Sequence, residues 1–191
     1  MPPFDYSDPP PSKFEPKIPE GTKTTVVIHV KQGGVGEDQM LTRSKDGGCE
    51  MLAVVFTVAD GAYKGEKFPE NWVLEGTTDG HAKAGEITRR KLKAILDSAF
   101  GLDPNDKSPE ARARRTISLG QLEGMAFMAE IGIEKGSGDY SDKNIVAGVI
   151  TKDKKDWHPV EQPPPFNGGG GTSSSTPPQS APPVQRPGWA S

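Results

Sequence analysis

The sequence predicts a mainly β domain with one central helix, followed by a disordered C-terminal tail. Three observations predict it. Five segments of strand length are rich in β-branched residues or alternate apolar with polar. One long segment keeps an apolar stripe at the helical period. The last stretch, Pro159 to Ser191, is Pro, Gly and Ser with almost no charge.

The elements follow in order. The first twenty residues are rich in Pro and charge. They read as an extended arm whose Phe4, Tyr6 and Phe14 are free to dock on the domain. Thr24 to Gln32, TTVVIHVKQ, is β-branched and too short for a typical helix, so it is a strand. Gly33 to Gly48 reads as a long polar loop. In Met51 to Asp60, Leu52, Val54, Phe56 and Val58 alternate and mark one buried face. Gly61 to Gly65 is the turn. Glu66 to Leu74 resumes as a strand, in which Pro69 implies an edge position or a bulge. Ala84 to Phe100 is the helix. Ile87, Leu92, Ile95, Leu96 and Ala99 fall on one face, Arg89, Arg90, Lys93 and Asp97 on the other, and Gly101 is the C-cap. Pro109 to Arg115 reads as a short second helix. Ala126 to Glu134 alternates with Phe127, Ala129, Ile131 and Ile133 on one face, and Asn144 to Lys152 is the last strand. Beyond Pro159 there is too little apolar surface to offset the entropy of ordering. The expected organisation is an arm (1–20), a folded binding domain (21–158) and a tail (159–191).

Composition excludes several classes. The hydrophobic share is 32%, with 23 Gly and 19 Pro in 191 residues, a modest core diluted by unfolded segments. A net charge of −3 excludes attachment to a polyanion by bulk charge, but not a local basic groove. The single cysteine, Cys49, permits no intramolecular disulfide. No apolar run reaches the ~18 residues of a membrane span. The first residues lack the basic start and apolar stretch of a signal peptide, so a soluble cytoplasmic protein is expected. His29, His81 and His158 have no partner at metal-ligand spacing. Gly33-Gly34-Val35-Gly36 lacks the Lys-Ser/Thr of a phosphate loop. No carboxylate pair stands in an apolar setting. The expectation is a binding protein with no cofactor, no metal and no catalytic residues.

Three strands, a helix, then two strands (β-β-β-α-β-β) is the order of an OB-fold, a five-stranded partly open barrel plugged by its helix. A generic α+β sheet with a helix on one face gives the same string.

Phe56-Thr57-Val58-Ala59-Asp60-Gly61-Ala62-Tyr63-Lys64-Gly65-Glu66-Lys67-Phe68 resembles the signature hairpin of a small family of phage and prophage proteins of formerly unknown function. Their genes lie among replication and recombination genes. Ser118 to Gly124 and the opening Phe4-Asp5-Tyr6-Ser7-Asp8 resemble that family too, and the likeness spans most of residues 4 to 152. The resemblance implies an OB-like domain that binds single-stranded DNA in phage DNA metabolism, within the bacterial host cell. It carries over no functional residues one by one. Bacterial-type single-strand binding proteins often end in an acidic tail with a terminal aromatic. Here the tail has Trp189 but no such acidity, so Trp189 anchors a partner by another chemistry or the tail is a tether.

Single-strand binding needs cations that follow phosphates and aromatics that stack on bases, at about 1–3 kcal/mol per base. Lys31, Arg43 and Lys45 flank or occupy the first loop. Tyr63, Lys64 and Lys67 occupy the hairpin, and Trp72 lies in the third strand. Lys135, Tyr140 and Lys143 sit at the last hairpin. In an OB-fold these places line the groove. Plainer readings stand beside them: Trp72 as core, Tyr63 as a cover for its turn, the lysines as solvated surface. Arg89, Arg90, Lys91 and Lys93, and Arg112, Arg114 and Arg115, read first as solvated helix faces. The expected function is sequence-independent binding of single-stranded DNA in replication or recombination. The alternative is an adaptor that recruits a replication or recombination partner through its Pro-rich tail, where Pro163–Pro165 and Pro177–Pro178 favour polyproline II.

Overall fold

The structure is a computed structural model that describes residues 16–36, 38–138 and 141–162. The expectations for the arm up to residue 15 and the tail from residue 163 lie outside the described residues. Six strands form one antiparallel sheet: β1 (Thr22–Val30), β2 (Leu41–Arg43), β3 (Cys49–Val58), β4 (Lys67–Gly76), β5 (Ala126–Glu134) and β6 (Lys143–Val149). The order is β2-β3-β1-β5-β6, with β4 paired to β3. Helices α1 (Asp79–Phe100) and α2 (Pro109–Arg115) and a 3-10 turn at Leu119–Leu122 lie between β4 and β5. The fold is mainly β with one principal helix, as expected. The sheet is not a closed barrel.

Alternation in β3 works as the sequence indicates: Leu52, Val54, Phe56 and Val58 are each at most 1% exposed. Phe56 centres an aromatic cluster, with ring centroids 5.3 Å from Phe68, 5.6 Å from Trp72 and 5.9 Å from Phe127. Burying each such side chain contributes about 1.5–3 kcal/mol. Pro69 sits on β4, which pairs with β3 alone. An edge strand is where the missing N–H does no harm.

Three expectations need correction. The polar loop 33–48 contains β2, whose Leu41 faces Leu52 and bridges to Val35. Three residues are too few for alternation to show. Ile87 does not face the core: it is 57% exposed. In the first half of α1 the sheet side is Gly85 and Thr88, because β4 runs too close for anything larger. A Cβ at Gly85 would lie 2.5 Å from the Leu74 carbonyl oxygen. Asp97 is not on a solvated face but is 1% exposed, because residues 103–115 fold back over the C-terminal half of α1. The helix starts earlier than its apolar stripe, at a Thr78 N-cap whose hydroxyl accepts the His81 N–H. It ends as expected at Gly101, in left-handed geometry at φ 62°.

The folded body extends beyond the core pattern at both ends. Ile18 is 1% exposed, and its N–H and C=O both bond the buried Asn144 side chain, at 3.1 and 2.7 Å. The Gln162 amide bonds both the N–H and the C=O of Ala126, at 3.0 and 2.8 Å, and also reaches Ala99. A side-chain amide thus stands where a neighbouring strand would satisfy the first residue of β5.

Candidate nucleic-acid interface

With one face of β1, β3 and β4 committed to the core, the alternate residues face outward. The registers set Val27, Thr57 and Lys67 in one row across the three strands, and His29, Val55 and Pro69 in the next. Ala53 lies opposite Asn71 and Met51 opposite Val73. Lys31 joins the Ala53 row through its N–H to the Ala53 carbonyl at 2.9 Å. None of these positions holds a carboxylate, and the face is bounded at its far end by the pair Glu50 and Glu75. Glu123 alone reaches the face from outside the three strands, with one oxygen 2.8 Å from His29 Nδ1 and the other accepting the Val30 N–H at 2.6 Å.

The expected DNA-contacting residues separate into groups. Lys31, Lys45, Lys64 and Lys67 are exposed, and among the described residues they form no ion pair. Arg43 is exposed but lies in β2, bonded to Glu50 at 2.9 Å. Lys135 is held by Asp142 at 2.6 Å and Lys143 by Glu134 at 2.7 Å. The Lys135 hydrogen bond, with the Gly136 N–H, holds the Asp142 carboxyl below its usual range. Exposed pairs of this kind add little stability and leave little net charge for a polyanion. Tyr140 and Trp189 lie outside the described residues. The cations do not converge on one spot. Lys45 is in the turn before β3 and Lys64 in the hairpin after it, and ten strand residues span about 30 Å.

Trp72 is core and not a stacking platform. It is 6% exposed, its Nε1–H donates to Glu70 at 2.6 Å, and Lys91 Nζ stands 4.9 Å from its ring centroid. It lies on the same inward alternation as Phe68. Tyr63 is half-buried and packs on the core edge. Among the described residues, no aromatic ring stands exposed on the outer face.

Two buried carboxylates absorb three of the cations of α1 and α2, Lys91, Lys93 and Arg115. Glu70 accepts from Lys91 at 2.7 Å, from Trp72, and from the Val146 N–H of β6 at 2.6 Å. Asp97 accepts from Lys93 at 2.7 Å and from Arg115 Nε at 2.6 Å. Arg115 also donates to the carbonyls of Asp103 and Asp106, and Lys93 to that of Pro104. Lys91, Lys93 and Arg115 are therefore structural. Glu70 is not singled out by the sequence and Asp97 reads there as part of a solvated face, though each has a signal. Glu70 falls between Phe68 and Trp72 on the inward alternation of β4, and Asp97 stands four residues after Lys93.

Between α1, α2 and the 3-10 turn lies a surface cleft of about 190 Å³. Leu92, Leu96, Leu119 and Leu122 line it, with Arg89 and Lys93 at its side. Among the described residues there is no cluster of His, Cys, Asp and Glu able to hold a metal ion, and no helix long and apolar enough to cross a membrane. Comparison of the chain with protein-family models, with curated proteins and with solved structures returns no match.

Proposed function

We propose that this protein binds single-stranded DNA without reading its sequence and acts in phage DNA replication or recombination. The observation that carries the reading is the outer face of β1, β3 and β4: four adjacent rows without a carboxylate that include Lys31 and Lys67, neither of which forms an ion pair among the described residues. Such a face attracts a phosphate backbone even on a chain of net charge −3. The strand order supports it. If β2 is taken as an elaboration of the first loop, β4-β3-β1-β5-β6 with a helix between β4 and β5 is the connectivity of an OB barrel open at the β4–β6 seam. The DNA would run across β1, β3 and β4, with phosphates near Lys31 and Lys67. Base stacking would fall to Tyr63 and to aromatics outside the described residues, such as Tyr140.

Titration of the full chain into fluorescently labelled oligo-dT tests the reading. Binding in the micromolar range or tighter at low salt, weakening linearly in log–log form with added salt, is expected. Absence of micromolar binding at low salt overturns it.

A further inference from the structure

We propose that the cleft between α1, α2 and the 3-10 turn is the docking site of this chain's own Phe4-Asp5-Tyr6-Ser7-Asp8 segment. At about 190 Å³, the cleft is smaller than the roughly 300–1,000 Å³ of sites that take small-molecule ligands. It suits one inserted side chain. Its floor of leucines calls for an apolar group, and its side calls for an anion. Arg89 is exposed and spends one N–H on the Leu74 carbonyl, at 3.3 Å. Its other donors remain open to a carboxylate. The surroundings reinforce this: residues 79–118 hold nine Lys or Arg against six Asp or Glu, in a chain of net charge −3.

Charge complementarity selects between the two terminal segments outside the described residues. Residues 163–191 contain no Asp or Glu and one Arg, so they offer the cleft no anion. Residues 1–15 contain Asp5, Asp8 and Glu15 against Lys13, with Phe4 and Tyr6 interleaved among the acids. An aromatic ring between two carboxylates matches a leucine floor beside a guanidinium. A nucleic-acid strand fits less well, because its phosphates gain nothing from an aliphatic floor. Reach is sufficient. Ile18 is fixed just before Thr22 at one end of β1. Leu122 of the cleft floor lies close to Ile28, whose C=O and N–H bond Gly124 and Met125 at 2.9 and 3.0 Å. Six strand residues separate those ends by about 20 Å, and the thirteen residues from Phe4 to Pro16 extend to about 40 Å.

Hydrogen exchange of the full-length protein, followed by mass spectrometry on the peptide covering residues 1–15, tests this. Exchange at Phe4–Asp8 slowed about tenfold relative to an unstructured chain is expected, independent of protein concentration. Both Arg89→Glu and the double variant Asp5→Asn/Asp8→Asn should abolish the slowing. Arg89→Glu combined with Asp5→Lys/Asp8→Lys should restore it. The second variant changes only residues outside the described ones, so the test stands even if Arg89→Glu disturbs α1. Unprotected exchange in the native chain overturns the proposal. So does protection indifferent to the Asp5→Asn/Asp8→Asn variant, and so does protection that rises with protein concentration, which would make the occupant a second copy. Protection of the cleft by added oligo-dT without competition from residues 1–15 also overturns it, in favour of a nucleic-acid site. Failure of the oligo-dT titration under Proposed function leaves these readouts untouched.

Discussion

On α1 and α2, the cations Lys91, Lys93 and Arg115 end on buried carboxylates; on the sheet and its hairpin, Lys31, Lys64 and Lys67 end in solvent. By residue type the two sets look alike, and the helical set looks the stronger because it is denser. The structure removes Lys91, Lys93 and Arg115 from that count and leaves Arg89, Arg112 and Arg114 exposed. What separates the paired cations from those of the sheet is the neighbour three-dimensional folding supplies: an acidic side chain turned inward by β4 in one case and by the C-terminal half of α1 in the other. A basic run is therefore evidence of polyanion binding only after its internal partners have been subtracted.

Four changes test this division, from the largest effect to the smallest. Asp97→Ala leaves the 13%-exposed Arg115 side chain and Lys93 without their counter-ion and frees the 103–108 loop. Loss of about 3–5 kcal/mol in urea unfolding is expected; a loss below 1 kcal/mol would show that Arg115 is not structural. Glu70→Gln removes the charge opposite Lys91 and turns one of two acceptor oxygens, that shared by Lys91 and Trp72 or that of the Val146 N–H, into a donor. A loss of about 1–3 kcal/mol is expected, read in the same assay. Lys31→Gln/Lys67→Gln should leave stability within about 0.5 kcal/mol. It should lower the log–log salt slope of oligo-dT binding by about 1.4, the value for two phosphate contacts on a single strand. An unchanged slope would move the interface off this face.

The smallest effect concerns pH. Burial pushes the Asp60 carboxyl up, but hydrogen bonds from Thr24 and from the hydroxyl and N–H of Thr25 outweigh it, and the net direction is down from 3.8. A depressed folded-state value means that Asp60 stabilises the fold above about pH 3.8, and that this is lost as pH falls through the lower folded value. Asp60→Asn should therefore be less stable than the native chain at pH 7, by well under about 1 kcal/mol because solvent screens this exposed carboxylate. That gap should close as the pH drops below the ordinary carboxyl range. A gap constant from pH 7 to pH 2 would show that the side chain acts by shape and not by charge.

Five of the six strands, all but the short β2, were legible in the sequence because their signal is local. Alternation in β3 and the match of Ala126–Glu134 to β5 need nothing beyond neighbouring residues. What was not legible depends on contacts distant in sequence. Ile87 belongs to the apolar period of α1, but the sheet meets that turn at Gly85 and Thr88, and only the path of β4 decides it. Asp97 becomes buried through residues 103–115, which the helical period cannot foresee. Gln162 follows the end of every apolar pattern and still completes β5, because an amide can do a strand's hydrogen bonding without any hydrophobic signal. At the candidate interface, Lys31, Lys64 and Lys67 were identifiable as exposed cations. The partners that neutralise Arg43, Lys135 and Lys143 were not singled out, since a flanking acid is paired only when register and turn geometry bring it across. Trp72 shows the same limit: its alternation with Phe68 pointed inward, and only the Phe56 cluster decided between core and surface.

The bond from Glu70 to the Val146 N–H has a mechanical consequence. Where a barrel would join β4 to β6 by a ladder of backbone bonds, this molecule uses a carboxylate on a pivoting side chain. A ladder resists shear and widening together, because its donors and acceptors are fixed along both chains. A carboxylate accepting from Lys91, Trp72 and Val146 resists widening but allows the two edges to slide by a rotamer's length. The contact between β4 and β6 is thus a latch at one point and not a ladder along both strands.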